Sequence, residues 1–467
     1  MNICLVAKGY PPDTASGGIG TQTYHKARGL SALGHKVHVV SSSWSQEART
    51  YHDEGAVIHR IPEPELKVPG YESSTRSLAY STSVAQKLYT LSKDIDFDII
   101  QFPEWEGEGF IYQTDTFRHR TACYVVQLHG PLAMLAEYTG SPDRNSTLHQ
   151  IGCFMERTVL HHADRVLASS HNTAAFCAQR YDYPLPEIRV VYSGIDTAKF
   201  LPRTNPQDKR QPKILFVGTL SRIKGLNFLV RAVLELKARY PNICLRVIGR
   251  EEGREGFLEP LKERIAAAGA ETNFEFKGYI PYDELADHYA WCDFFAGPSL
   301  HEPGPGNVYL EAMACGKSVI ACNTGGAPEV VRNQETGLLV PPGDTKSLEK
   351  AITTLTEDAN LRGRLGKNGR MWVEENVSVE KYIAKVEHLY QELTAEKAIS
   401  EQKSPMVSRS FQGSGSMNGV TKRRRARRLA RRKVTRFRRK ATRLRRKALR
   451  LSRKTTHRLI ANIFYRS

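Results

Sequence analysis

No stretch of this 467-residue chain keeps apolar residues together for the ~20 positions that a membrane-spanning helix needs, which excludes such a helix. Paired cysteines are missing too. Cys4, Cys123, Cys153, Cys177, Cys244, Cys292, Cys315 and Cys322 stand singly, with no CxxC and no His–Cys spacing suited to zinc. That pattern argues against a metal site and fits core-filling thiols in a reducing cytosol. The opening residues, Asn2-Ile3-Cys4-Leu5-Val6-Ala7, lack the basic and apolar regions of a secretory signal, so a cytoplasmic location is expected. The last absence is acid. From Gln402 onward there are 24 Lys or Arg and no Asp or Glu, so of 68 basic residues 44 precede that point, against 49 acids. The formal charge of +19 thus divides into a mildly acidic body, net −5, and a basic tail that needs its own explanation.

Within the body, short apolar runs alternate with helical stretches, the pattern of parallel sheets covered on both faces. Strands are predicted at 3–7, 36–41, 57–61, 97–101, 122–128 and 165–168, with helices at 21–33, 77–91 and 146–161. The pattern restarts at Lys213 and predicts strands at 213–218, 244–249, 274–278, 294–298, 318–322 and 338–340. Two such series imply an α/β chain of two doubly wound, Rossmann-like domains. The expected divisions are 1–200 and 201–375, with a hinge at 202–212, followed by a helix at 376–398. A flexible polar linker at 399–420 leads to the basic tail, 421–467.

Three strand-to-helix turns carry chemistry. The first, Ser16-Gly17-Gly18-Ile19-Gly20, lets backbone N–H groups approach an anion at a helix start. The following strand ends Val39-Val40-Ser41-Ser42-Ser43, without the acid that would hold an adenosine ribose, which argues against a dehydrogenase. The second turn, Gly218-Thr219-Leu220-Ser221-Arg222-Ile223-Lys224-Gly225, sets two cations beside a helix start. They suit a departing diphosphate, although a solvated surface pair reads the same way. The third turn is Glu302-Pro303-Gly304-Pro305-Gly306-Asn307-Val308-Tyr309-Leu310-Glu311. Its Gly/Pro segment can face a phosphate, while Glu311, early in a helix, can accept hydrogen bonds from two ribose hydroxyls. A preference of acids for helix starts accounts for Glu311 alone but not for the surrounding composition, nor for Thr324-Gly325-Gly326-Ala327-Pro328-Glu329 downstream.

Together with Leu128-His129-Gly130-Pro131, Ser193-Gly194-Ile195-Asp196 and Gly337-Leu338-Leu339-Val340-Pro341, these turns resemble the retaining glycosyltransferase family 4, the group 1 glycosyltransferases, over nearly all of residues 1–395. The resemblance implies the GT-B fold, in which two Rossmann-like domains face each other across a cleft. The first domain would take the acceptor, the second the nucleotide-sugar donor, and the terminal helix would cross back to the first. It further implies Lys224 as the diphosphate-binding lysine, Glu311 as the ribose carboxylate, Glu302 as the first glutamate of the same pair and a catalytic candidate, and His129 as the histidine near the reacting sugar. Gly17 and Gly18 would approach the diphosphate, Gly306, Asn307 and Val308 would face the donor, and Gly278 and Tyr279 would flank the base. Three departures stand out. Thr219 replaces the usual arginine, with Arg222 as the candidate replacement charge; eight rather than seven residues separate Glu302 from Glu311; and Ser193 stands where Asn is common.

By the same resemblance, transfer is retaining and needs neither metal nor cofactor, with the donor's own phosphate oxygen assisting the acceptor hydroxyl. Asp96-Phe97-Asp98 mimics a metal-binding DxD, but it leads into a strand and reads as a strand-entry acid. A nucleotide-sugar hydrolase or epimerase is the alternative enzyme, and a polyanion-binding scaffold the non-enzymatic one. The tail carries Val434, Phe437, Ala441, Leu444, Ala448 and Leu451 at heptad spacing among Lys and Arg. An apolar stripe with cations around it predicts an anionic membrane surface as partner, on the inner face of the membrane, with nucleic acid or another polyanion as second choice.

Overall fold

The computed structural model describes residues 1–12, 18–43, 45, 47–64, 72–203, 211–251 and 256–402. Gly17, most of the 202–212 hinge, and the linker and basic tail beyond Gln402 lie outside the described residues.

Two parallel sheets organise the body. The first contains β1 (Asn2–Val6), β2 (Lys36–Ser43), β3 (Arg49–Asp53), β4 (Ala56–Pro62), β5 (Ile99–Pro103), β6 (Cys123–Leu128), β7 (Arg165–Ala168) and β8 (Ile188–Val190). Their spatial order is β3-β4-β2-β1-β5-β6-β7-β8. The second contains β9 (Lys213–Val217), β10 (Cys244–Ile248), β11 (Phe274–Gly278), β12 (Phe294–Gly297), β13 (Ser318–Cys322) and β14 (Gly337–Val340), in the order β11-β10-β9-β12-β13-β14. Each order reverses direction beside its first strand, at β1/β5 and at β9/β12. Such switch points open a crevice at the carboxyl ends of the strands, where ligands of doubly wound sheets sit.

The sheet centres are continuous apolar runs because helices bury both of their faces. Cys123–Leu128 is buried at every position, and so is Ser318–Cys322. The two strands that the apolar pattern misses are the edge strands of the first sheet. β3 pairs antiparallel with β4, and its Arg-Thr-Tyr-His-Asp sequence is largely solvated, as an edge tolerates. β8 is only three residues, too short for alternation to register. Covering helices carry the complementary pattern. In Leu226–Leu236 the buried set includes Leu226, Leu229, Val230, Val233 and Leu236, one stripe at helical spacing.

The helix Val379–Gln402 follows the second sheet in sequence yet packs on the first. Tyr382, Ile383, Val386, Tyr390 and Leu393 join Ile3, Leu5, Val39, Ile99 and Val125 in one core cluster. Burying each such side chain contributes roughly 1.5–3 kcal/mol. Tyr390 also hydrogen-bonds Gln101 through its hydroxyl, and the Ile195–Ser378 bridge ties the start of the helix to the first domain's exit. The eight cysteines are all free, and seven of them are buried. Asp98 accepts the Asn2 amide at 2.7 Å at the entry of β5, the opposite end of the strands from the crevice.

Candidate active site

The strand ends converge on one cleft of about 630 Å³. On the second-domain wall, the turn after β9 forms the short 3-10 segment Arg222–Lys224 and presents Lys224. Its Nζ donates to Glu302 Oε1 at 3.0 Å and Oε2 at 2.7 Å, and Ser299 Oγ reaches Oε2 at 3.2 Å. Glu302 is therefore held in the cleft, 9% exposed, against the lysine. Its peptide is clamped from behind. The Glu302 carbonyl accepts the Gly326 amide at 2.7 Å, and a Cβ on Gly325, at φ +60°, would lie 2.0 Å from that oxygen. Only glycine fits there, which gives the downstream Thr324-Gly325-Gly326 segment a physical reason.

Glu311 lies in the helix Asn307–Ala314, 5% exposed but on the cleft lining. Tyr289 Oη donates to its Oε2 at 2.8 Å. Burial pushes its carboxyl up to about 7, against the opposing pull of the Tyr289 hydrogen bond.

The first-domain wall is built on β5, β6 and β7. His129 follows β6, and burial, with the Lys26 ammonium second, holds its imidazole down to about 3, so it is neutral at physiological pH. The His129 and Gly130 amides both donate to Glu104 Oε1, at 2.6 and 2.7 Å. Glu104 is fully buried just past β5, and burial pushes its carboxyl up to about 7 although those backbone bonds oppose the shift. Trp105, the next residue, faces the cleft.

A clasp joins the walls. The Pro303 carbonyl accepts from Ser170 Oγ at 2.8 Å, Asn172 Nδ2 at 3.0 Å and Thr173 Oγ1 at 2.8 Å. Glu329 accepts the His171 and Asn172 amides, each at 2.8 Å, at the start of the helix His171–Tyr181, where a carboxylate satisfies orphan donors and the helix dipole. Gly130 packs so tightly on this turn that a Cβ would sit 2.8 Å from Pro303 Cβ. The second-domain turn carrying Glu302 is thus fixed against the wall carrying His129.

Of the residues singled out from sequence, His129, Lys224, Glu302, Gly18, Tyr279, Gly306, Asn307, Val308 and Glu311 line this one cleft. Gly18 starts the helix Gly18–Ala32, and a Cβ on it would be 3.5 Å from Asn307 Nδ2. Two do not line it. Arg222 is exposed, because at three residues per turn a side chain two positions from Lys224 points away from it. Gly278 is exposed and off the cleft lining, its carbonyl accepting the Gly249 amide at 2.8 Å. The cation that accompanies Lys224 in the cleft is instead Arg250, after β10, which lies over the Tyr279 ring at 5.2 Å. Its position just past a strand end was the available signal, as it was for Glu104 and Trp105. Among the described residues no group of three or more His, Cys, Asp or Glu is arranged to hold a metal.

Comparison with known proteins fits this geometry. The family model described as "Glycosyltransferase Family 4" matches residues 16–199, and that for "Glycosyl transferases group 1" matches 198–372. A GDP-mannose-dependent alpha-(1-6)-phosphatidylinositol monomannoside mannosyltransferase of Mycolicibacterium smegmatis is 31% identical over 249 residues, 49% of this chain; that match spans 64% of the relative's length. A D-inositol 3-phosphate glycosyltransferase of Corynebacterium efficiens is 28% identical over 67% of this chain and 75% of its own. Sucrose-phosphate synthase of Thermosynechococcus elongatus superposes with a TM-score of 0.72 at 22% identity, over 85% of this chain and 99% of that one. HepE of Anabaena, solved with UDP and glucose, gives 0.65 at 19% identity, over 84% and 99%. Two adjoining family matches across residues 16–372, on two facing parallel sheets of the GT-B arrangement, place the chain in the group 1 glycosyltransferases of family 4.

Proposed function

We propose that the chain transfers a sugar from a nucleoside-diphosphate sugar to a hydroxyl acceptor with retention of configuration. The observation that carries this reading is the convergence of Lys224, Glu302 and Glu311 on one wall with His129 on the other. The donor diphosphate meets Lys224, the ribose hydroxyls meet Glu311, and the base lies beside Tyr279 and Arg250. In the transfer, the bond from the anomeric carbon to the phosphate oxygen breaks as the acceptor oxygen bonds to the same face of that carbon. The acceptor proton passes to the leaving phosphate oxygen. The protein's part is to position both substrates and to stabilise charge growing on the diphosphate, which requires no nucleophile–base pair of its own. His129, neutral, is a hydrogen-bonding neighbour of the transferred sugar rather than an acid. The proposed donor is a UDP-sugar or a GDP-sugar; the mannosyltransferase relative is GDP-mannose-dependent by name.

Thermal shift with UDP-glucose and GDP-mannose tests the reading, since a ligand bound by the folded state alone raises the melting point. No shift with either nucleotide sugar or its free diphosphate would overturn it. Glu311 adds a pH signature. Its carboxyl sits near 7, so below that pH it becomes protonated and loses acceptor capacity for the ribose. The donor KM is therefore expected to rise roughly tenfold from pH 8 to pH 6, about one pH unit either side of the midpoint, and to flatten in Glu311→Gln. A parallel profile in that variant would remove Glu311 from the ribose site.

For the tail, the proposed partner is an anionic membrane surface. Each basic residue near such a surface contributes about 1 kcal/mol, screened by salt. Full-length protein should float with anionic vesicles at low salt, and a form ending at Glu401 should not. Equal flotation of the two forms would sink the idea, and RNA binding with steep salt dependence in its place would favour the polyanion.

A further inference from the structure

The first-domain wall carries an aromatic side chain that the reading above leaves unused. Trp105 stands two residues after β5 and lines the cleft with His129 and Leu135, opposite the wall assigned to the donor. Among the described residues its indole makes no hydrogen bond, ring contact or cation contact, unlike most aromatic side chains of the body.

The turn that presents it is held on every side. Gly107 N donates to the Glu104 carbonyl at 2.8 Å, and Glu104 N to the Gln127 carbonyl at 3.1 Å. The Glu106 amide donates to Glu156 Oε1 at 3.2 Å, while the Glu106 carboxylate accepts Ser77 Oγ at 2.5 Å. Glu106 itself is left-handed, at φ 51°. A non-glycine residue there costs on the order of 1 kcal/mol and persists where the surroundings over-determine it, a condition that gathers at ligand sites. Buried Glu156, which also accepts the Leu132 amide at 2.9 Å, locks the start of the helix that carries Leu135 to the same turn. The strain and the buried carboxylates have one shared consequence, a fixed backbone turn whose indole lines the cleft that Leu135 also lines.

We propose that Trp105 is the stacking platform for a saturated polyhydroxylated ring, a sugar or a cyclitol, in the acceptor. The proposal rests on the glycosyl-transfer reading. The axial C–H face of such a ring is apolar and flat enough to cover an indole, while its hydroxyls stay at the edge, within reach of the neutral His129 side. An acyclic polyol has the same hydroxyls but no preformed face, so it loses more conformational entropy for less contact. Trp105 therefore sets acceptor class and orientation and takes no part in donor binding.

The experiment compares the full chain with Trp105→Phe and Trp105→Ala, using whichever of UDP-glucose and GDP-mannose the wild type binds. Donor hydrolysis without acceptor, and the donor KM, should stay within about twofold in both variants, because the residue lies on the opposite wall. With methyl α-glucoside, methyl α-mannoside and myo-inositol as acceptors, Trp105→Ala should raise the acceptor KM roughly 10- to 100-fold, and Trp105→Phe should recover most of that loss. Sorbitol and glycerol should be poor acceptors throughout. Where turnover with small acceptors is too slow to measure, the ring compounds should quench tryptophan fluorescence saturably in the wild type and not in Trp105→Phe. An unchanged ring-acceptor affinity in Trp105→Ala, equal use of sorbitol, or loss of donor hydrolysis with the indole would each overturn the proposal. A wild type that binds neither nucleotide sugar would instead overturn the glycosyl-transfer reading on which it stands.

Discussion

Lys224→Ala should lower kcat by roughly 10²- to 10³-fold at saturating donor, the scale on which a lost electrostatic stabiliser acts. The ammonium is the cation nearest Glu302 and faces the cleft from the turn after β9. Removing it has two consequences of the same sign. The diphosphate loses a charge that offsets its own as it departs, and Glu302 is left as an uncompensated carboxylate where that diphosphate should sit. The second consequence yields a sharper result than the single variant. Lys224→Ala/Glu302→Gln should be more active than Lys224→Ala alone, since the double variant no longer opposes the leaving group. Lys224→Ala should also lower stability by more than the about 0–1 kcal/mol of an exposed ion pair, because Glu302, 12% exposed, is left without its cation, and the double variant should recover that loss. Steady-state kinetics with the bound nucleotide sugar, beside a melting curve for each variant, checks all three expectations. Near-normal turnover in Lys224→Ala would remove the residue from the site.

The parts of this molecule that were legible in its sequence are those fixed by local chemistry. Arg165–Ala168, Phe274–Gly278 and Ser318–Cys322 form strands at the predicted bounds, the first and last as short apolar runs that end at polar residues, and Phe274–Gly278 as a Phe-Glu-Phe-Lys alternation that ends at glycine. β3 escaped because an edge strand can be polar, and β8 because three residues carry no period. The cleft was legible wherever a turn combined glycine with a charge, as at Lys224 and Glu311. What escaped there depends on contacts between distant segments. Glu104 meets His129 across 25 residues, and Lys224 meets Glu302 across 78. Arg222 was legible as a charge but not as a direction, since the 3-10 geometry of its turn sends it outward while Lys224 points inward. The eight-residue spacing from Glu302 to Glu311 does not carry Glu302 out of the cleft, because the Gly325-Gly326 backbone holds the peptide from behind.

The largest stability effect is expected at Glu104, just past the end of β5. Its Oε1 accepts two backbone amides inside the protein, and nothing else described is placed to take them. Glu104→Ala leaves both partly buried N–H groups without this acceptor, at up to about 1–3 kcal/mol each, a large part of the stability of an ordinary domain. Glu104→Gln keeps a carbonyl oxygen of the same reach and should retain both bonds. The two substitutions therefore separate the hydrogen bonds from the charge. Ionisation carries the opposite sign. Burial raises the folded-state carboxyl from 4.5 to about 7, so Glu104 favours the folded state fully below about 4.5, and that contribution is lost as pH rises through about 7. Glu108 and Glu156, each pushed up to about 8 chiefly by burial, are raised further by the Glu104 charge, so Glu104→Gln also eases their ionisation and the difference between the two proteins includes that share. Measured by denaturant midpoint, Glu104→Gln should gain on the wild type between pH 5 and pH 8, while Glu104→Ala should be far below both at either pH. Wild-type stability in Glu104→Ala would mean that the His129–Gly130 turn is held by other contacts. Parallel pH curves for the wild type and Glu104→Gln would mean that the carboxyl does not ionise across this range.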